Sequence, residues 1–260
     1  ELAYDRLLIA TGASPIVPKL PGFDRPEVVT LKNLQDGRNI RQILAGGRVR
    51  KAVVIGMSYI GLEMIEAFTN RGIEVSMVKP RRIFLPWLDE ALSSEVRKEV
   101  EQHHVGLYPG HEILRLEKTG DRLSLVCDGL TLEADLVLVA AGIRPNSRIA
   151  ADAGLDLSVS ESISVDRTLA TSDPDVYAAG DCADAYHMVT GKKTWIPLAL
   201  VANRAGWTAA DNVCGKGAEI EGVAGTTVFK VFDLQVARTG LSGAEAEQAG
   251  FSPVSVTVKT

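Results

Sequence analysis

The sequence predicts an α/β protein with two parallel-sheet units, one inserted into the other, followed by the opening of a smaller α+β domain. Three observations predict it. Val53-Val54-Ile55-Gly56-Met57-Ser58-Tyr59-Ile60-Gly61-Leu62-Glu63 reads as a strand that passes through a glycine turn into a helix. Val176-Tyr177-Ala178-Ala179-Gly180-Asp181 is a short buried strand closed by Gly-Asp. Leu7-Leu8-Ile9-Ala10, stopped by Thr11-Gly12, is a buried strand far upstream that the 176–179 strand would rejoin in one sheet.

Each element follows in order. After Thr11-Gly12, the prolines Pro15, Pro18 and Pro21 with Gly22 make a stiff connection. Leu31, Leu34, Ile40, Ile43 and Leu44 have helical spacing, ended by Gly46-Gly47. A βαβ unit comes next: strand 52–55, helix 60–70, Gly72 beyond its end, strand 74–78. After Pro86, residues 89–103 read as a helix, and 105–118 and 123–127 as strands of an antiparallel meander. Residues 134–140 read as a fully buried strand entering Gly142-Ile143-Arg144-Pro145, which closes the inserted unit. Pro197 to Asn212 reads as a helix with Pro in its first turn and Gly215 past its end. From Thr226, an alternating segment (Val228, Lys230, Val231, Asp233), a helical stretch 243–250 and a strand 253–259 read as the opening βαβ of a third domain. The chain starts without Met and stops within a strand pattern, so both ends are expected to be cut from something longer.

Composition excludes several classes. With 46% apolar and 23% charged residues among 260, the chain can bury a substantial core and is not disordered. A net charge of −5 argues against nucleic acid as a partner. No apolar run approaches the roughly 20 residues of a membrane span, and no basic-then-apolar leader opens the chain. Cys127, Cys182 and Cys214 stand far apart without a Cys-x-x-Cys pair, and His103-His104 sit at a helix end. Neither a disulfide scaffold nor a metal site is expected, and the compartment expected is a reducing cytoplasm.

The glycine turn carries chemistry. In a strand–turn–helix of this kind the backbone approaches a pyrophosphate and the helix N–H groups point at it. Gly56 supplies the tight turn and Gly61 the close helix–strand packing. Ser58 replaces the middle glycine, where it would meet the phosphates or donate to them. Any parallel βα turn shares part of this pattern; the surrounding βαβ unit favours the dinucleotide reading. The second strand ends not in a carboxylate that would bind a ribose 2′-hydroxyl but in Lys79-Pro80-Arg81-Arg82. Three cations favour a 2′-phosphate, hence NADPH over NADH, with a solvated basic turn as the alternative.

Ile9-Ala10-Thr11-Gly12, the Gly56 turn, Gly142-Ile143-Arg144-Pro145 and Gly180-Asp181, in that order, make the chain resemble the FAD-dependent pyridine nucleotide-disulfide oxidoreductases. Tyr59-Ile60-Gly61-Leu62-Glu63 and Trp195-Ile196-Pro197-Leu198 are similar to its single-cysteine branch of coenzyme A-disulfide reductases, NADH oxidases, NADH peroxidases and persulfide reductases. The resemblance implies two Rossmann-like nucleotide-binding domains. FAD would lie on residues 1–28 and 148–222, NAD(P)H on an inserted domain of 29–147, and 223–260 would start an α+β dimerisation domain. Thr11, Gly12, Gly142 and Gly180 would border the nucleotides, and Asp181 would accept a hydrogen bond from a ribityl hydroxyl or else cap the next turn. The helix beginning at Pro197-Leu198 would aim N–H groups at the flavin's N1–C2=O edge. Tyr59, beside Ile60, would lie over the flavin ring and move aside for the nicotinamide. Glu63, on the buried side of its helix, would pair with a lysine of the flavin domain, an exposed Glu63 being the alternative.

The resemblance further implies a flavoprotein that moves electrons from NAD(P)H through FAD to a disulfide, CoA-disulfide or persulfide. Its partner would be a small-molecule or thiol acceptor, and its assembly a homodimer. The family's first flavin fingerprint and redox cysteine would lie before Glu1. No cysteine here is placed to substitute, so the chain alone is expected to be inactive. Two alternatives stay open: an NADH oxidase or ferredoxin/rubredoxin reductase that needs no redox cysteine, and a non-catalytic nucleotide-binding module, for which Ser58 leaves room.

Overall fold

A computed structural model describes residues 2–85 and 88–258. The chain divides into two compact units. One holds the stretch up to Ser14, then Ile143–Thr227 and the residues from Arg238 on; the other holds Pro15–Gly142 and Val228–Ala237.

The first unit opens with β1 (Leu7–Ile9) and β2 (Ala13–Pro15). The second contains β3 (Val28–Val29), α1 (Leu34–Ala45), β4 (Lys51–Ile55), α2 (Tyr59–Thr69), β5 (Glu74–Lys79), α3 (Glu90–Gln102) and β6 (Gly106–Pro109). An antiparallel trio follows, β7 (Ile113–Thr119), β8 (Arg122–Cys127) and β9 (Leu130–Ala134), then β10 (Leu136–Val139). Back in the first unit come β11 (Ile143–Pro145), α4 (Arg148–Asp152), β12 (Val176–Ala178), β13 (Ala185–Tyr186), β14 (Lys193–Thr194) and α5 (Ala199–Val213). The chain finishes with β15 (Thr227–Val231), β16 (Leu234–Arg238) and α6 (Gly243–Gln248).

The second unit is a five-stranded parallel sheet in the order β3-β10-β4-β5-β6. Its central strands are continuous apolar runs because both faces are covered. Alternate residues serve the two faces. Ala52, Val54, Val75, Met77, Leu136 and Leu138 pack with Ile40 of α1, Leu62, Ile65 and Phe68 of α2, and Val96 and Val100 of α3. Val53, Ile55, Val78, Val137 and Val139 pack with Ile113, Leu116, Leu123, Leu125 and Leu132 of the meander. Each fully buried Val, Leu, Ile, Met or Phe side chain contributes about 1.5–3 kcal/mol by leaving water, so burial on both faces anchors the sheet.

Helix ends follow local chemistry. Asn33 caps α1 through a capping box with Asp36, which starts the helix at Leu34 rather than at the apolar Leu31. Ser58 caps α2, and Asn70 and Gly72 close it, Gly72 donating to the Thr69 carbonyl. Residues 105–118 are not one strand of the meander. The backbone breaks at Gly110, so that β6 extends the parallel sheet and only β7 enters the antiparallel trio. The helix expected from Pro197 starts at Ala199, and residues 253–258 form no strand; Lys259 lies outside the described residues.

In the first unit β1 pairs in parallel with β12, Ile9 opposite Ala178, as the apolar runs predict. Ile9, Ile163, Val165, Val176, Ala178, Cys182, Ala205 and Ala209 form its core. Asn212 is buried in α5 and fully used: its amide nitrogen donates to the Thr168 and Ala218 carbonyls and its oxygen accepts from the Ala218 amide. Among the described residues no helix is long and apolar enough to cross a membrane.

Candidate functional site

In the second unit the site is the carboxyl edge of the parallel sheet, where open α/β sheets bind ligands. Gly56 follows β4 directly, with φ 102°, and its N–H donates to the Val78 carbonyl of the neighbouring strand at 2.8 Å. A Cβ there would stand 2.4 Å from the Ala140 carbonyl oxygen, so both backbone angle and space demand glycine. Gly61, in the first turn of α2, is packed so closely that a Cβ would lie 2.9 Å from the Gly56 oxygen and 3.3 Å from Met77 Cε. These contacts hold the positive end of α2 against the strand ends, the geometry a pyrophosphate needs. Ser58 Oγ accepts from the Gly61 N–H at 3.3 Å, so the side chain that replaces a glycine caps the helix while its own hydroxyl proton stays available to donate.

Around this turn, Tyr59 is half-buried with its ring edge-on to Phe229, centroids 5.3 Å apart. Ile60 is likewise half-buried. Glu63 lies on the open side of α2, not the buried one. Partial desolvation still pushes its pKa above the ordinary carboxylate value. At the end of β5, Arg81 and Arg82 are exposed, whereas Lys79 is only 8% exposed and its ammonium donates to the Phe84 carbonyl at 3.0 Å. Burial, aided by the charge of Arg81, pulls the Lys79 pKa below its usual value.

In the first unit Thr11, Gly12 and Ser14 form a knot with Asn146. Thr11 Oγ1 donates to the Asn146 carbonyl at 2.6 Å, and the Asn146 side-chain amide returns a bond to the Thr11 carbonyl at 2.8 Å. The Asn146 N–H donates to the Gly12 carbonyl at 2.9 Å and Ser14 Oγ to Asn146 Oδ1 at 2.7 Å. β2 pairs with β11 beside this knot. Gly142, exposed, accepts from the Ile16 N–H in the second unit. Gly180 and Asp181 follow β12 after the buried Ala179, and the Asp181 carbonyl accepts from the Trp195 indole at 3.0 Å. Pro197 precedes the α5 N-cap, Leu198, which makes no side-chain capping bond. The first turn of α5 therefore has no side-chain acceptor from its cap, as a helix end reserved for a ligand's oxygen would.

Gly180 and Leu198 come together on a cavity of about 340 Å³, also lined by Asp184, Tyr186, Val201 and Arg204. Asp184 is buried there. Its Oδ1 accepts from the Val165 N–H and from Lys193 at 2.9 Å, while Oδ2 has no hydrogen-bond partner. The Asp184 side chain is fully enclosed and supports the cavity wall, whereas the helix start without a side-chain cap, beside Gly180-Asp181, fits a polar group such as a flavin nucleotide.

The match to known proteins covers most of the chain. Residues 1–206 fit the family model described as pyridine nucleotide-disulphide oxidoreductase. The chain belongs to this family. Over 257 residues it is 35% identical to an NAD(P)H sulfur oxidoreductase (CoA-dependent) of Pyrococcus furiosus, covering 98% of this chain and 58% of that protein. It is 33% identical over 250 residues to an NADH oxidase of Methanocaldococcus jannaschii, covering 95% of this chain and 55% of that protein. The solved structure of an NAD-dependent persulfide reductase from A. fulgidus superposes with a TM-score of 0.90 at 36% identity, over 96% of this chain and 46% of that one. The chain thus spans a little over half the length of these curated relatives.

Two of the three cysteines are buried. Cys182 is fully buried and donates to the Ala179 carbonyl, and the Cys127 thiol is buried and pushed up in pKa. Cys214 is exposed at the end of α5. Sequence reasoning passed over Asn146 and Asp184. Only the position of Asn146, directly after the Gly142–Pro145 motif, signalled it, whereas Asp184 became visible through its burial. Glu99, His103 and Asp233 bring their ligand atoms within 4.8 Å of one another, but Glu99 already accepts from the Asp233 N–H and His103 Nδ1 meets the Glu99 carbonyl.

Proposed function

We propose that the protein carrying this chain is an FAD-dependent oxidoreductase that takes electrons from NADPH and delivers them to a disulfide, CoA-disulfide or persulfide. The observation that carries this reading is the pair of strand ends. The Gly56 turn with capped α2 serves one nucleotide, and Gly180-Asp181 with the cavity beside α5 serves the other. FAD, which Thr11, Gly12, Gly180, Asp181 and the start of α5 would hold, would supply the chemistry that couples nicotinamide oxidation to reduction of the sulfur acceptor. The protein's part is positional and electrostatic. Gly56 and Gly61 keep the backbone close to the pyrophosphate, Ser58 donates to it, and Arg81 and Arg82 attract a 2′-phosphate. Asp181 accepts from a ribityl hydroxyl, and the start of α5 at Pro197-Leu198 stabilises negative charge on the reduced ring.

In the same reading residues 29–147 bind NAD(P)H, residues 1–28 and 148–222 bind FAD, and 223–260 begin a dimerisation domain. Thr11 and Gly12, held by Asn146, border the flavin, and Gly142 marks the return of the chain. Tyr59 covers the flavin face until the nicotinamide arrives.

The test is anaerobic reduction of the flavin-loaded protein. NADPH should bleach the flavin absorbance within seconds, and CoA persulfide or CoA disulfide should restore it faster than air does. No bleaching by either nicotinamide leaves only a non-catalytic nucleotide-binding module. Restoration by O₂ alone supports the second reading, an oxidase, which the similarity to an NADH oxidase favours.

A further inference from the structure

The three cations after β5 are not equivalent. Lys79 is the last residue of the strand and lies inside, whereas Arg81 and Arg82 are exposed. The Lys79 ammonium reaches across five residues to the Phe84 carbonyl at 3.0 Å, closing Pro80–Ile83 into a short loop. The loop is anchored at both roots. Phe84 and Leu85 are 3% and 0% exposed and belong to the helical core, and the Arg97 guanidinium sits 5.1 Å above the Phe84 ring. The Lys79 carbonyl accepts from the N–H groups of Gly110 and His111. Arg82 lies over Gly110, where a Cβ would come within 2.9 Å of Arg82 Cγ. Lys79 pairs with Pro109 in register, and β4, whose end carries the Gly56 turn, is the next strand over. The loop therefore stands beside the turn at the same sheet edge.

We propose that Lys79 is a positioning residue for coenzyme choice: its ammonium clasps the Phe84 carbonyl and thereby fixes the loop that presents Arg81 and Arg82 to the 2′-phosphate of NADPH. This rests on the NADPH reading above and assigns its machinery. Lys79 is turned inward to the Phe84 carbonyl and is only 8% exposed, whereas Arg81 and Arg82 face solvent. The Lys79 charge is already partly desolvated, as the lowered pKa agrees. Arginine recognises phosphate through a planar fork, which loses strength quickly with misorientation. A loop held at one root only would leave both guanidinium groups to be ordered at the moment of binding, at a cost in conformational entropy.

The experiment is a cycle in the flavin-loaded protein, with Lys79→Met, Arg81→Ala/Arg82→Ala and the triple variant, reading KM and kcat for NADPH and NADH. Lys79→Met should raise the KM for NADPH about tenfold and leave kcat and the KM for NADH unchanged. In the variant that lacks both arginines it should add nothing. An additive loss would mean that Lys79 touches the phosphate itself, and equal losses for both coenzymes, or none, would mean that it selects neither; each overturns the proposal. If the arginine pair itself proves unselective, the NADPH reading fails instead. The clasp is then judged by amide hydrogen exchange of residues 81–84, whose acceleration in Lys79→Met upholds it and whose constancy ends it. Should Lys79→Met not fold, Gly110→Ala displaces Arg82 while leaving the Lys79 side chain itself unaltered. Selective loss of NADPH supports the presented loop, and an unchanged coenzyme ratio refutes it.

Discussion

At the scale of single residues, one glycine and one carboxylate make the sharpest statements. Gly56 combines a φ of 102° with a carbonyl oxygen 2.4 Å from any Cβ. Gly56→Ala should therefore cost on the order of 1–3 kcal/mol from backbone strain alone, and more from displacement of the Ala140 peptide. A drop in thermal midpoint together with a raised KM for either nicotinamide coenzyme is the expected result; unchanged binding would remove Gly56 from the site. Glu63 behaves oppositely. Its pKa is raised by desolvation, and it has no hydrogen bond or ion pair among the described residues. The charged form is thus disfavoured by folding: its stability contribution is full below the ordinary carboxylate pKa and is lost as pH rises through the elevated one. Glu63→Gln should flatten that loss and raise the thermal midpoint at neutral pH while slowing flavin reduction. A lower midpoint would show instead that the carboxylate has a stabilising partner.

At the scale of elements, the hairpin of β15 and β16 shows which of its contacts matters. Phe229, Val231, Phe232 and Val236 join the helical core of the second unit, and His103 stacks on Phe232 with ring centroids 3.8 Å apart. The hairpin turns at Phe232, which has a φ of 50°, unfavourable for a bulky side chain. Glu66 of α2 holds this turn: one oxygen accepts from the buried Phe232 N–H at 2.8 Å, the other pairs with Lys230 at 3.0 Å. Lys230 is half exposed, so the ion pair is worth about 0–1 kcal/mol, whereas an orphaned buried N–H costs about 1–3 kcal/mol. Glu66→Ala should accordingly destabilise several times more than Lys230→Ala and speed amide exchange through 228–237. Equal effects would mean that the charge pair, not the turn, is what Glu66 supports.

For the molecule as a whole, Leu200 and Trp207 on α5 are each 74% exposed, and Val254, Val256 and Val258 are 76–90% exposed. The dimerising role proposed for the last segment would cover such side chains. The 260-residue chain by itself should self-associate in light scattering, and a stable monomer at micromolar concentration would count against a dimerising role for its last segment.

The sequence by itself determined the parallel sheet, the glycine turn and the returning strand. Each is written locally: continuous apolar runs mark strands buried on both faces, and Gly56 and Gly61 stand at a spacing that a strand–turn–helix requires. The pairing of β1 with β12, 169 positions apart by register, was legible because both strands are short, apolar and closed by glycine. Less local features escaped. Pro109-Gly110 marks a turn within residues 105–118, but which sheet each half joins depends on distant partners, β5 for one half and β8 for the other. Lys79, Arg81 and Arg82 are indistinguishable as a run of cations, since sequence records charge but not direction. Tertiary structure decided that one points inward to a carbonyl and two are exposed, because burial of Phe84 and Leu85 in the core brings the Phe84 carbonyl to the Lys79 ammonium. Burial is a property of what surrounds a residue, and only the folded chain supplies it.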